Sequence, residues 1–299
     1  MTVLVTGATG NVGREVVRAL RARGISVRAA DRQPTRCAAI FEADGVTSVR
    51  LDLRDSSTFA AAVEGCSALF LLRPPAISDV KATLNPFVDV ARERGVRHVV
   101  FLSVAGAGKN TLVPHHAVEV HLAARSDDWT VLRPGFFAQN LGDAYRRDIV
   151  EDDRLFVPAG RGRVAFVDVR DVAEVAAAAL CDPASHAAKA YTLTGPAAVS
   201  FKDAAAILTE ALGRTIRYDR ASIASYALHL HRRDACCPDR GADNPPRRTS
   251  FRASRGDRSN ASFAARAAGP VASGVRFRSR SDVAADASGH REDVIRFAR

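Results

Sequence analysis

Residues 3–13 read Val3-Leu4-Val5-Thr6-Gly7-Ala8-Thr9-Gly10-Asn11-Val12-Gly13, a short apolar run that enters a turn with glycine at every third position. Few folds accept such a junction. Gly7 permits the tight turn off a strand, Gly10 lets the backbone approach a diphosphate, and Gly13 lets the next helix pack closely on the sheet. The helix start then offers unpaired N–H groups and the positive end of its dipole to phosphate oxygens. Thr6, Gly7, Thr9, Gly10, Asn11, Val12 and Gly13 are therefore candidate cofactor-binding residues, and the expected ligand is a dinucleotide, NADP(H) or NAD(H). A glycine-rich turn without a ligand is the plainer reading, and it leaves the strand–turn–helix context unexplained.

The next two hundred residues repeat the theme. Apolar runs at Val27–Ala30, Val46–Leu51, Ala68–Leu72, Val99–Ser103 and Thr130–Leu132 alternate with helical periodicity over Asn11–Arg23, Ser56–Glu64, Lys81–Arg94 and Pro114–Ser126. Continuously apolar strands alternating with helices indicate βαβ units on a parallel sheet covered on both faces. The fold expected is α/β, a doubly wound parallel sheet of the Rossmann type with a small C-terminal α/β lobe. Further strands at Val164–Val167 and Ala190–Leu193 and helices over Val169–Leu180 and Phe201–Leu212 belong to the later part. The expected division is a dinucleotide-binding domain at 1–150, a substrate-covering lobe at 151–230 and a distinct tail at 231–299.

In such a sheet ligands gather at the carboxyl ends of the strands. The second strand ends in Ala30-Asp31-Arg32-Gln33-Pro34. A carboxylate there suits the ribose hydroxyls of NAD(H), and an arginine suits the 2′-phosphate of NADP(H). Arg32 followed by Pro34 fits a phosphate-facing turn and favours NADP(H), whereas Asp31 argues for NAD(H); a surface ion pair is the bland alternative. After the third strand, Asp52 and Leu53 are placed to meet adenine, unless the carboxylate caps the next helix. Leu72 and Arg73 after the fourth strand and Ser103 at the end of the fifth fall in the same crevice.

Charge and cysteine narrow the partners. The formal net charge is +10, but residues 231–299 hold 15 Arg against 8 Asp and Glu, and the first 230 hold 28 basic against 25 acidic residues, so the tail carries +7 and the body +3. Nucleic acid is therefore not the partner expected for the body. The tail has no Leu and no Lys, whereas the first 230 residues have 20 Leu. It reads either as a disordered basic tail or as the product of a frameshift after about residue 233. Suitable codons for 241–254, read one nucleotide later, give VQTILHVGLRFGQA, which is more protein-like. The five cysteines, Cys37, Cys66, Cys181, Cys236 and Cys237, form no paired ligand spacing, so neither a disulfide framework nor a zinc site is expected. No metal site, membrane span or secretory leader is expected, and the chain reads as cytoplasmic. Phosphate-loop, zincin and nucleophile-elbow motifs do not occur. Asp168 and Asp171 are expected to cap the helix that follows them.

The stretches VTGATGNVG, LDLRD, VRHVVFLSV, TVLRPGFFAQNL, FVDVRDVAEVAAAAL and YTLTGPAAVSFKDAAAILTEALGR resemble the atypical short-chain dehydrogenases/reductases, more narrowly the NmrA-like family with its NAD(P)H quinone reductase-like members. The resemblance covers about residues 1–220. It implies coenzyme on the first glycine turn and a small-molecule substrate near Pro134, Phe136, Phe137 and Asn140. The wider superfamily's Tyr-x-x-x-Lys pair is missing, since none of Tyr145, Tyr191, Tyr218 and Tyr226 has Lys four residues later. His116 looks like the occupant of the position where isoflavone reductase-like relatives carry lysine, and it is the candidate catalytic residue; a surface histidine is the other reading. Glu119 either orients it or faces solvent. The expected activity is NAD(P)H-dependent reduction of a quinone-like electrophile. The alternative is a non-enzymatic redox sensor that binds the dinucleotide and acts on a protein partner.

Overall fold

Strands such as Ala68–Leu72 and His98–Leu102 carry apolar side chains on both faces, so each must be covered from both sides. A computed structural model, which describes residues 1–41 and 44–235, satisfies this with helices packed on the two faces of one sheet. In chain order the elements are β1 (Thr2–Thr6), α1 (Asn11–Ala22), β2 (Ser26–Asp31), α2 (Pro34–Phe41), β3 (Thr47–Arg50), α3 (Phe59–Val63), β4 (Ala68–Leu72), α4 (Leu84–Glu93), β5 (His98–Leu102), α5 (Pro114–Arg125) and β6 (Trp129–Pro134). There follow β7 (Phe136–Phe137), α6 (Arg146–Glu151), β8 (Arg154–Val157), β9 (Arg163–Val167), α7 (Val169–Cys181), α8 (Pro183–His186) and β10 (Lys189–Leu193). The last are β11 (Ala198–Ser200), α9 (Phe201–Leu212), β12 (Arg217–Arg220) and α10 (Ile223–Ala235).

Seven strands form the main sheet in the order β10-β6-β5-β4-β1-β2-β3, every pair parallel. The expected doubly wound α/β architecture is therefore present. The order reverses between β1 and β4, which opens a crevice at their carboxyl ends. Thr6 pins this point: its hydroxyl donates to the Phe70 carbonyl at 3.1 Å and accepts from the Leu72 N–H at 2.8 Å. Leu4, Leu69, Leu71, Phe87, Val99 and Phe101 lie together in the core on one face of this sheet.

The described residues divide into two units. The first is Met1–Gly135 with Val169–Thr194; the second is Phe136–Asp168 with 195–235. This interleaving differs from the single boundary near 150 read from the sequence. It arises because β10 returns to pair in parallel with β6, so the segment from Val169 belongs with the sheet. The second unit has its own core, in which Phe136 meets Phe166 at 5.2 Å and Phe201 at 5.5 Å. It holds β7 parallel to β9, β11 antiparallel to β9, and β12 parallel to β8.

Several boundaries shift for local reasons. The helix expected over 56–64 is a single 3-10 turn (Ser56–Thr58) followed by the short α3, and its cap is Asp55, with the Ser57 N–H donating to Asp55 Oδ1 at 3.1 Å. Helix α4 starts at Leu84 rather than Lys81, because the Asp79 carboxylate takes the Ala82 N–H at 3.1 Å and holds the preceding residues in a turn. The two readings of the tail concern residues that, from 236 onward, lie outside those described.

Candidate functional site

The glycine turn is built as its spacing requires. Gly7 has φ of +61°, in the left-handed region that a side chain resists. Gly13 stands so near the turn that a Cβ there would lie 2.1 Å from the Gly7 carbonyl oxygen and 2.9 Å from Ala8 Cα. Gly10 is the N-cap of α1 and supplies no side-chain cap, and the Arg14 N–H closes the first helical bond on the Gly10 carbonyl at 2.9 Å. The helix start thus carries no side-chain cap, the arrangement that accepts an anion. The cradle has the form a diphosphate would need, and the Val12 side chain beside it in sequence is buried.

Around the cradle the carboxyl ends of β2, β3, β4 and β5 place the other expected residues. Asp31 ends β2 with both oxygens engaged: the Thr9 hydroxyl donates to Oδ2 at 2.8 Å and the Gln33 N–H to Oδ1 at 2.9 Å. Arg36, on α2, approaches the same carboxylate at 4.0 Å. Asp31 therefore locks the glycine turn to the β2 end, while Arg32 beside it is exposed. Asp52 accepts from the Arg54 N–H at 3.0 Å in a tight turn, and the Leu53 side chain is buried in the core. Leu72 packs beneath Gly7, its Cδ2 3.1 Å from where a Cβ would stand.

Arg73 is drawn inward. Its Nη1 donates to the carbonyls of Pro74, Pro75 and Ile77, and its Nε donates to His115 Nε2 at 3.2 Å. That fixes His115 with its proton on Nδ1, since an arginine only donates. Burial, and then the Arg73 charge, push the His115 pKa down to about 4. His116, one residue on, is half-buried, and its Nδ1 lies 2.9 Å from the Ala107 carbonyl oxygen. A carbonyl only accepts, so Nδ1 carries the proton and the neutral ring has its lone pair on Nε2.

Glu119 does neither of the things expected of it. It neither contacts His116 nor faces solvent; it is 8% exposed and pairs with Arg133 through two bonds, Nε to Oε1 at 3.2 Å and Nη2 to Oε2 at 2.7 Å. Ser103, 2% exposed, donates its hydroxyl to the same Oε1. The ends of β5 and β6 and the first turns of α5 thus share one carboxylate. This network was the part of the site missed from the sequence. The available signal was a lone charged residue, Arg133, in Trp129–Pro134, whose other residues are uncharged.

The substrate residues implied by the resemblance are split between the units. Pro134 closes β6 in the first, its carbonyl accepting from the Ala105 N–H at 3.0 Å. Phe136, Phe137 and Asn140 belong to the second, where the Phe136 ring is spent on the aromatic core, stacking also on Tyr145 at 6.1 Å. Asp168, in the second unit, is buried and accepts from Gln139 Nε2 at 2.9 Å, while Asp171 lies in the first turn of α7. No group of three or more metal-ligating side chains occurs among the described residues, and no described helix is long and apolar enough to cross a membrane.

Comparison with known proteins agrees with the geometry. The NAD(P)H-binding family matches residues 7–183. The NAD(P)H azoreductase of Xenophilus azovorans is 35% identical over 222 residues, 72% of this chain and 76% of the relative. The NADPH-dependent quinone oxidoreductase of Escherichia coli, solved with NADPH, superposes with a TM-score of 0.68 at 27% identity, covering 78% of this chain and 82% of that one. The negative transcriptional regulator NmrA shares the fold, with a TM-score of 0.61 at 18% identity over 73% of each chain.

Proposed function

The chain belongs to the NAD(P)H-binding family, and we propose that it is an NAD(P)H-dependent reductase whose acceptor is a small, planar, electron-poor molecule of the quinone type. The observation that carries this reading is the uncapped start of α1 over a turn that glycine alone can form, in a chain akin to azo- and quinone-reducing proteins. The coenzyme supplies two electrons as a hydride; with one proton from the site or solvent, a quinone leaves as a hydroquinone and the coenzyme is oxidised.

The residues then divide the work. The glycine turn holds the diphosphate, and Leu72 shapes the floor beneath it. Thr9 and Gln33 occupy the Asp31 carboxylate, and Arg32, exposed beside it, would meet the adenosine end, which favours NADP(H). Asp52 and Leu53 border the adenine. His116 presents Nε2 as the atom that takes up and delivers a proton. Ser103 has given its only proton to Glu119, so it accepts from a bound molecule rather than donates. Arg73 is committed to the 74–77 carbonyls and shapes the rim.

Oxidation of NADPH and NADH in the presence of a benzoquinone, with calorimetry of each coenzyme alone, tests the proposal. Turnover with NADPH preferred is the expected result. Tight binding with no turnover for any quinone or azo acceptor would convert the reading to a coenzyme-binding sensor, and absence of binding would remove both.

A further inference from the structure

We propose that Arg133, forked onto Glu119, is the positioning residue of this site: it seats the β5–α5 loop and so determines which nitrogen of His116 carries the proton. The proposal rests on His116 being the group that handles the proton.

A charged pair buried between β6 and α5 needs a reason. Such pairs seldom stabilise a fold more than apolar side chains of the same size would. What this pair provides is geometry. Two parallel bonds hold the guanidinium in one plane on Glu119. The face of that plane lies against Gly108: a Cβ added there would fall 2.5 Å from Arg133 Nη2, 2.7 Å from Cζ and 2.9 Å from Nη1. The loop backbone therefore rests directly on the guanidinium, and a side chain at 108 would have to push the guanidinium or the loop aside. Next to Arg133, the Pro134 carbonyl accepts from Ala105 at 3.0 Å, so the end of β6 grips the loop at two points.

Between those points sits Ala107. Its N–H donates to the Val104 carbonyl at 3.1 Å, and its carbonyl takes the His116 Nδ1 proton at 2.9 Å. Seating the loop thus presents an acceptor to Nδ1, and Nε2 is left with the lone pair. If the loop lifts, Nδ1 loses its acceptor and the proton is free to move to Nε2. The ring then offers a donor where the seated loop offers an acceptor. Ser103, bonded to the same Glu119 oxygen as Arg133 Nε, is held by the same device.

Two variants disturb the seat in different ways. Arg133→Lys keeps the charge but loses the fork and the flat face. Gly108→Ala keeps the ion pair and pushes a methyl group into the guanidinium plane. The tautomer of His116 is read by nitrogen NMR of the full chain, alongside steady-state kinetics and coenzyme affinity. The wild type is expected to show the Nδ1–H form, and both variants a shift toward Nε2–H. In both, kcat should fall about tenfold or more while KM and the coenzyme Kd stay within about twofold. Added to His116→Gln, either change should cost nothing further, since the two act through one group. An unchanged His116 tautomer in both variants, or losses that add to that of His116→Gln, would overturn the proposal. If Arg133→Lys does not fold, Gly108→Ala carries the test. Should the wild type reduce no acceptor, the reductase reading falls, and the tautomer measurement still decides whether Arg133 governs His116.

Discussion

Gly10 and Gly13 stand three residues apart in one turn, yet a methyl group would do different things at each. At Gly13 it would meet the Gly7 carbonyl oxygen at 2.1 Å, a backbone clash that no side-chain movement relieves. At Gly10 the nearest atom is the same oxygen at 3.3 Å, and φ is −82°, a value any residue adopts. Gly13→Ala should therefore destabilise the protein, by about 1–3 kcal/mol in urea unfolding. Gly10→Ala should cost less stability, about 1 kcal/mol or under from the poorer helix cap, and weaken coenzyme binding at least tenfold, about 1.4 kcal/mol or more, because the methyl stands where a diphosphate would approach. Equal loss of stability in the two variants would mean that Gly10, too, serves only the fold. Arg32 and Asp31 make a second pair of neighbours with separable roles. Arg32→Ala should raise the Kd for NADPH about tenfold, through loss of a charge-assisted phosphate contact, and leave NADH unchanged. Titrating both coenzymes against the variant decides it; an equal loss for both would remove Arg32 from the discrimination.

Among the elements, β4 and α9 on one side and β8 and β12 on the other show why some of the molecule was readable and some was not. Ala68–Leu72 and Phe201–Leu212 are bounded in the structure as the apolar pattern bounded them, since a strand covered on both faces and a helix with a Ser200–Asp203 capping box declare themselves locally. The strands β8 and β12 were missed because Arg154–Val157 and Arg217–Arg220 mix charge with apolar residues and exist only by pairing across a long sequence gap. The site divides the same way. The glycine turn is a local motif, whereas the Ser103–Glu119–Arg133 network joins three segments and has no local signature. His98 is of this second kind. It is 2% exposed at the start of β5, and its Nε2 donates to Thr130 Oγ1 on β6, which in turn donates to the His186 carbonyl at 2.8 Å. Burial pushes its pKa down to about 4, as it does that of His115. A histidine with a depressed folded pKa contributes stability fully above its unfolded value, near 6.5, and loses it as pH falls toward 4. Each of the two is worth about 3 kcal/mol across that window, so unfolding free energy should drop steeply between about pH 6.5 and 4. His98→Gln, which keeps a donor for Thr130, should flatten the slope. A wild-type stability that stays level down to pH 4 would contradict the burial argument.

For the molecule as a whole, charge and site are separable. The body to residue 230 carries a formal +3 and residues 231–299 carry +7, while the family match runs from 7 to 183 and the candidate residues lie between Thr6 and Asn140. The glycine turn would hold its ligand by close contact with backbone and an uncapped helix start, whereas a diffuse basic charge attracts anions only through a field screened within about 8 Å at physiological salt. The basic segment should dominate adhesion to polyanions, where each neutralised phosphate releases a counterion and the affinity falls steeply with salt. Ending the chain after residue 235 is thus expected to leave the coenzyme Kd within about twofold, or about 0.4 kcal/mol, and to lower the salt needed for elution from a heparin or DNA column. Calorimetry and salt-gradient elution of the two forms measure both halves. A large loss of coenzyme affinity on truncation would tie the C-terminal residues to the site, and unchanged elution would place the polyanion-facing charge on the body instead.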